Sequence, residues 1–231
     1  MTNTAIFRRY GAAVCLVTTA LLSAVSVVLA PKFPSGPAER LAAIEAAGTS
    51  GAVSALTFTL SQLPFFGAVL AIGHLLRHRS PILGIVGTAL GVVGAFGHGV
   101  FGGVSLVYLS MADDVAHRSV QAELLAEVES SPVVAFMAMG LLGTVVSILV
   151  FAAGLWRARV LPRWAGPVLA AFVVVEFAGN AISDWASYVA AVLFLVAFTA
   201  LALTVWRTGA DEWASPVEES VPALTPEVTG A

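Results

Sequence analysis

The sequence predicts an all-α polytopic transmembrane protein, a six-helix bundle with both termini on the cytoplasmic side. Of its 231 residues, 58% are hydrophobic and only 11% are charged, and the mean hydropathy is +0.93. Soluble domains contain about 45–50% apolar and about 25% charged residues. A membrane-spanning helix needs about 20 apolar residues, and six such segments can be drawn along the chain.

The six segments form one transmembrane domain over residues 1–207. They are residues 10–30, 51–76, 82–110, 133–155, 164–183 and 185–206. The first ends in Val28-Leu29-Ala30, which is similar to a signal-peptide cleavage site. Because Pro31 follows directly and the apolar run is long, we expect this segment to be retained as a first span. The last two segments form either two full spans or a re-entrant hairpin.

The distribution of charge predicts the orientation. Eight arginines lie at alternate segment ends: Arg8, Arg9, Arg77, Arg79, Arg157, Arg159, Arg163 and Arg207. The opposite ends carry three basic residues, Lys32, Arg40 and Arg118, together with most of the acidic ones. Cytoplasmic loops are enriched in Lys and Arg, so both termini are expected in the cytoplasm. Arginines 77, 79, 157, 159 and 163 could also bind lipid headgroups.

The segments outside the spans differ from one another. Residues 39–47 and 113–130 carry apolar side chains at helical spacing, such as Val120, Leu124 and Val128, and predict short interfacial helices. Residues 208–231 hold acidic residues among prolines without apolar periodicity. Such a composition is typical of disorder, so a disordered cytoplasmic tail is expected there.

Small residues recur at four-residue steps in the third segment. They are Gly87, Gly91, Ala95, Gly99 and Gly103. Small residues let helices approach closely within lipid. The row therefore predicts a helix-packing face, either near the centre of the bundle or across a homo-oligomer interface.

Three polar residues lie at similar depths within predicted spans. Gln62, His98 and Glu176 are roughly 16, 18 and 12 Å from the outer ends of their segments, at 1.5 Å per residue. Polar groups at membrane depth are costly and indicate functional sites. Asn180 and Asp184 continue the line of Glu176 in four-residue steps. Together the five residues predict a polar pocket that opens outward.

This pocket suggests a protein that binds or translocates a small or lipidic molecule. One alternative is an intramembrane enzyme on a hydrophobic substrate, isoprenoid or lipid, with Glu176 as general acid or base and His98 as its partner. Another is an oligomeric interaction subunit that packs through the glycine row. His98 and Glu176 could also simply hydrogen-bond to each other and fix the helix register.

The sequence favours no metal or cofactor. Cys15 is the only cysteine, and no set of three ligands has the spacing of a zinc site. The net charge of −3 does not suggest a nucleic-acid partner. The expected partners are therefore the lipid bilayer, a small hydrophobic ligand and a second copy of the chain.

The run GLWRARVLPRWAGPVLAA at residues 154–171 lies between two apolar segments late in the chain. In this loop and in its layout the chain resembles a broad group of uncharacterised, mostly actinobacterial membrane proteins. The resemblance implies a six-span protein of the bacterial plasma membrane. It implies no functional residues.

Overall fold

A computed structural model describes residues 2–32, 34–160 and 162–214, and every regular element in these ranges is helical. The α-helices are α1 Thr2–Leu29, α2 Pro37–Leu76, α3 Pro81–Asp113, α4 Arg118–Ser130, α5 Val133–Ala158, α6 Ala165–Ala178, α7 Ala186–Arg207 and α8 Ala210–Ala214. Short 3-10 turns, Val115–His117 and Gly179–Ala181, precede α4 and follow α6. The all-α prediction is confirmed for the described residues.

Five helices (α1, α2, α3, α5 and α7) are long and apolar enough to cross a membrane, which is typical of a membrane protein. The fifth predicted span, residues 164–183, is shorter than expected. Its α-helix, α6, has 14 residues, which at 1.5 Å per residue gives about 21 Å. The hydrocarbon core of a bilayer is about 30 Å thick.

Helix α6 ends early because Asn180 supplies an alternative to further helical hydrogen bonds. Its side-chain amide donates to the carbonyl oxygen of Glu176 at 2.6 Å, and the Ser187 hydroxyl donates to its Oδ1 at 2.9 Å. Side chains of this type commonly satisfy the carbonyls left free at a helix end. The chain then passes through a 3-10 turn and a short connection into α7.

Gly48 divides α2 into two parts. Its φ of 50° and ψ of −126° lie in a region that L-residues avoid. The short helix predicted at residues 39–47 is therefore present before this break, and the long apolar helix follows it. The residues before Gly48 pack beneath α4 through a small buried cluster that includes Leu41 and Leu125.

The buried side chain of α4 is not one of the apolar residues that the sequence singled out for this helix. Leu125 is fully buried, whereas Val120 and Leu124 are exposed. Salt bridges join α4 to the first part of α2, from Arg40 to Glu129 and from Arg118 to Glu45. Helix α4 is thus fixed over the end of the bundle by one apolar anchor and two ion pairs.

The six longest apolar helices form a closed ring in the order α1, α2, α3, α5, α6 and α7, and α7 packs back against α1. Helix α3 is one member of this ring and is not a central helix, but part of its small-residue face packs inside the bundle, which was one of the two expected positions. Its outward face carries large exposed side chains, including Ile85, Phe96 and Val107. Glycine lets α3 pack closely against its two neighbours, α2 and α5.

Only part of the predicted glycine row packs against other helices. A Cβ on Gly87 would lie 2.6 Å from the Phe151 ring, and Gly91 and Ala95 are also buried. A Cβ on Gly99 or Gly103 would meet nothing within 4 Å. Each four-residue step turns about 40° around a helix of 3.6 residues per turn. The later glycines have therefore rotated off the contact face.

A close contact joins α3 to α5 through four glycines, which we call the glycine seam: Gly94, Gly97, Gly140 and Gly143. A Cβ on Gly143 would lie 2.7 Å from the backbone nitrogen of Gly94, and a Cβ on Gly140 would lie 2.8 Å from that of His98. Backbone therefore packs directly on backbone. On α3 the seam advances by three residues, a step that the four-residue row did not include.

The two ends of the ring carry different charges. At one end, which we call the basic end, Arg9 donates to the carbonyl of Thr208 and Arg79 donates to that of Ala158. The first bond joins the start of α1 to the end of α7, and the second joins the α2–α3 connection to the end of α5. The other end, which we call the acidic end, carries most of the acidic residues outside the tail, such as Glu45, Asp113 and Glu123. At this end Lys32 forms an exposed ion pair with Asp184.

The predicted disordered tail of residues 208–231 is only partly described. Residues 210–214 form α8, and the Trp213 side chain is buried against the His74 ring, with ring centroids 4.2 Å apart. The disorder expected from residue 208 therefore does not begin there, because this aromatic side chain anchors the segment. Residues 215–231 lie outside the described part of the chain.

Candidate functional site

A cavity of about 270 Å³ lies inside the ring, and all six ring helices contribute to its wall. We call it the central cavity. Most of its lining is apolar and aromatic, from side chains such as Phe58, Phe65, Phe172 and Phe194. The polar side chains of the wall are Thr19, Ser23, Ser26, Ser61, Gln62, His98, Thr144 and Glu176. An apolar cavity with a few convergent polar groups is typical of a small-molecule site.

Three of the five predicted pocket residues meet in this wall. Gln62 comes from α2, His98 from α3 and Glu176 from α6. Their similar predicted depths explain this convergence, because the fixed rise of an α-helix converts residue number into depth.

The amide of Gln62 is held from its own helix. Its Nε2 donates to the carbonyl of Phe58 at 3.1 Å and to the Ser61 hydroxyl at 3.0 Å. Gln62 is buried. With the nitrogen engaged in these two bonds, the amide oxygen is the group that remains to accept a hydrogen bond from a ligand.

His98 is held on two sides. Its Nδ1 is 3.3 Å from the Thr144 hydroxyl on α5, and its ring meets the Phe58 ring edge-on, with centroids 5.5 Å apart. Its backbone lies in the glycine seam against Gly140. Among the described residues, Nε2 has no hydrogen-bond partner. The ring is thus oriented by α5, with one nitrogen left for another molecule.

Glu176 is half-buried in the same wall, and within the described ranges its carboxylate makes no hydrogen bond or ion pair. Only its backbone carbonyl is engaged, by Asn180. The alternative in which His98 and Glu176 hydrogen-bond to each other is not seen. A carboxyl group in a largely apolar wall favours a partner, which a ligand could provide.

Asn180 and Asp184 do not line the central cavity. Both are exposed, and Asp184 pairs with Lys32. That contact lowers the pKa of the Asp184 carboxyl through a hydrogen bond and Coulomb attraction. The four-residue line from Glu176 assumed one continuous helix. The 3-10 turn after Ala178 turns these two residues away from the cavity.

A second cavity, of about 340 Å³, lies towards the acidic end beneath α4. Its wall shares Ser26 and Phe58 with the central cavity and includes the Arg40–Glu129 ion pair. The Ser54 hydroxyl donates to the carbonyl of Ser26 at 2.8 Å. Phe58 and this α1–α2 contact therefore lie at the boundary between the two cavities.

The five arginines predicted to bind lipid headgroups divide into two groups. Arg77 donates to the carbonyls of His74 and Glu212, and Arg79 donates to that of Ala158. Both therefore hold parts of the protein together. Arg157, Arg159 and Arg163 are exposed.

The sequence reasoning missed several residues of the cavity. Thr144, which orients His98, lies four residues after Gly140 within an apolar run, and Phe58 lies four residues before Gln62. A hydroxyl near a glycine pair in a span could have indicated Thr144. An aromatic residue among many others gave no signal for Phe58.

Comparison with known proteins found no match among family models, curated proteins or solved structures. The resemblance to the actinobacterial group therefore stays a prediction.

Proposed function

We propose that this protein crosses the plasma membrane of a bacterium six times, with both termini in the cytoplasm, and binds or translocates a small or lipidic molecule through the central cavity. One observation carries the proposal. Gln62, His98 and Glu176, from three different helices, line one largely apolar cavity, and Glu176 has no side-chain partner in the described part of the chain.

Six crossings are supported by the position of the α6–α7 connection. The ion pair between Lys32 and Asp184 joins this connection to the one between α1 and α2. Helix α1 is long enough to cross the bilayer. Because Lys32 follows the C-terminal end of α1, α6 and the turn after it reach the same end of the bundle as the C-terminus of α1. The concentration of arginines at the basic end supports the cytoplasmic assignment of that end.

The chemistry of the wall defines the expected ligand. Aromatic side chains offer contact to an apolar body, while the Gln62 amide oxygen, His98 and Glu176 offer polar contacts. The volume of about 270 Å³ lies just below the range for small-molecule sites, about 300–1,000 Å³. We therefore propose a compact, mostly apolar ligand with one hydrogen-bonding group. Translocation is supported by the second cavity, which extends the path towards the acidic end.

Native mass spectrometry of the protein purified from membranes in mild detergent tests the proposal. A discrete small molecule should accompany the wild-type protein and be lost in Glu176→Gln and in His98→Ala. Asp184→Asn is the matched control, because it also neutralises a carboxyl near the end of α6 but lies outside the cavity. Ligand-free wild-type protein, or equal loss in Asp184→Asn, would contradict the proposal.

The partnerless carboxyl of Glu176 also favours a second candidate, an intramembrane enzyme. A carboxylic acid kept in an apolar site can act as a general acid or base. His98, which lines the same cavity, would be the partner of Glu176 in this chemistry. Product formation that is lost in Glu176→Gln while ligand retention persists would support the enzyme. If Glu176→Gln loses both ligand retention and proton-coupled uptake of the ligand, the result would support a translocating protein.

A further inference from the structure

A groove at the basic end, separate from the central cavity, runs between α1 and α3 with α2 as its floor. We call it the basic groove, and its volume is about 890 Å³. Phe7 on α1, Leu70 on α2 and Ile85 on α3 line it and are 78%, 58% and 70% exposed. In a bilayer, such exposed apolar side chains would face lipid.

Small residues create the groove. A Cβ on Gly67 would collide with the Cys15 side chain, and a Cβ on Gly84 would lie 3.0 Å from the carbonyl oxygen of Gly73. These glycines bring the three helices close together. Gly11 differs from them, because a Cβ there would meet nothing within 4 Å. Gly11 therefore borders open space, which a larger side chain would fill without disturbing the helix contacts.

The length of the groove corresponds to one leaflet. Along α2 it extends from Gly67 to Arg77, the residue that directly follows the helix, which at 1.5 Å per residue is about 15 Å. This is half of the bilayer hydrocarbon core of about 30 Å. A lipid whose headgroup lies at the basic end could therefore place one acyl chain along the groove.

Arg8, Arg77 and Trp213 are among the residues that line this groove, and the last two carry donor atoms without an acceptor in the described residues. Arg8 is exposed and makes no hydrogen bond or ion pair among the described residues. The Arg77 Nε and the Trp213 Nε1 are buried and have no hydrogen-bond acceptor in the described part of the chain. Trp213 is 4% exposed, so its N–H has little access to bulk water. A buried donor without an acceptor is unfavourable, and a phosphate oxygen would satisfy it.

We propose that the basic groove binds an anionic phospholipid of the leaflet at the basic end. Its phosphate contacts Arg8, Arg77 and Trp213, and one acyl chain lies between α1 and α3 over Gly11 and Gly67. A phosphate would bridge α1, the residue that follows α2, and α8, where these donors lie. This site is independent of the central cavity and of the proposal made for it.

Lipid retention by the full-length protein in mild detergent tests this proposal. The probes are a phosphatidylglycerol and a phosphatidylethanolamine with identical acyl chains, added in equal amounts and counted as adducts by native mass spectrometry. We expect preferential retention of the phosphatidylglycerol, and about fivefold weaker retention in Arg8→Gln, since one basic residue contributes about 1 kcal/mol near an anionic surface. Equal retention of the two lipids would overturn the proposal.

Two further variants distinguish a built site from general attraction to a basic rim. Arg157→Gln removes an exposed arginine at the same end but outside the groove, and it should leave retention unchanged. Gly11→Leu should reduce retention of phosphatidylglycerol without lowering thermal stability in detergent. Equal losses in Arg8→Gln and Arg157→Gln, or full retention in Gly11→Leu, would contradict the groove site.

Discussion

The glycine seam and the central cavity lie on either side of His98, and they show opposite uses of side-chain volume. At the seam, the four glycines on α3 and α5 carry no side chain, and backbone packs on backbone. Towards the cavity, side chains from six helices leave a space of about 270 Å³. One close contact can therefore fix a helix while the bundle beside it stays open. The backbone of His98 belongs to the seam and its ring to the cavity.

The largest expected effect comes from adding one methyl group to the seam. In Gly97→Ala the new Cβ would collide with the backbone of Gly140 and with the carbonyl of Phe136. Backbone cannot move aside as a flexible side chain can, so we expect a loss of about 3 kcal/mol in the free energy of unfolding. Thermal or denaturant unfolding in detergent measures it.

Gly99→Ala is the matched control, two residues along the same helix. Its Cβ would meet nothing within 4 Å, and alanine favours a helix over glycine by about 1 kcal/mol. Gly99→Ala should therefore be neutral or slightly stabilising. Equal destabilisation by the two substitutions would show that the seam is not the tighter region.

A smaller effect should separate two neighbouring alanines of α7. Ala190 is fully buried in a packed region, whereas Ala191 lines the central cavity. We expect Ala190→Leu to lower the free energy of unfolding by about 2 kcal/mol through overpacking. Ala191→Leu should be close to neutral, because the cavity accepts the added atoms. If Ala191→Leu were as destabilising as Ala190→Leu, the space of the central cavity at α7 would not be available to a ligand.

The residues around the central cavity and the seam differ in how far the sequence could predict their positions. Residue count fixed the depths of Gln62, His98 and Glu176, because helical rise is constant. The side of the helix on which a residue lies was predictable only as long as the helix continued unbroken. Asn180 therefore left the expected line at a 3-10 turn, and Gly103 rotated away over four steps of about 40°. Both errors come from extending one helix without its neighbours.

Partners across the bundle were beyond sequence reasoning for another reason. Gly140 and Gly143 are two glycines in an apolar run, and their match to Gly94 and Gly97 depends on where α3 and α5 cross. The short helix at residues 39–47 was predictable because its apolar spacing is local. The order of the ring depends on contacts between distant segments, which one sequence does not display.

Two hydroxyls of α5 provide the finest test, because one serves the helix contact and the other the cavity. Ser147 is fully buried and donates to the carbonyl of Gly87 at 2.6 Å, while Thr144 contacts His98 at 3.3 Å. Ser147→Ala should cost about 1 kcal/mol of unfolding free energy, the usual net value of one buried hydrogen bond. Thr144→Val keeps the side-chain shape and should cost less, since its hydrogen bond is longer.

For ligand retention in the cavity, the order of the two variants should be reversed: Thr144→Val should have the larger effect. Thr144→Val releases the Nδ1 of His98, so the ring is no longer oriented, and retention of the cavity ligand should fall. Ser147→Ala leaves His98 untouched and should retain the ligand as wild type does, measured by native mass spectrometry on both proteins. If ligand retention simply followed stability in the two variants, His98 would act only through folding. His98 would then contribute through helix packing at the seam, and a separate ligand-binding role for its ring would be contradicted.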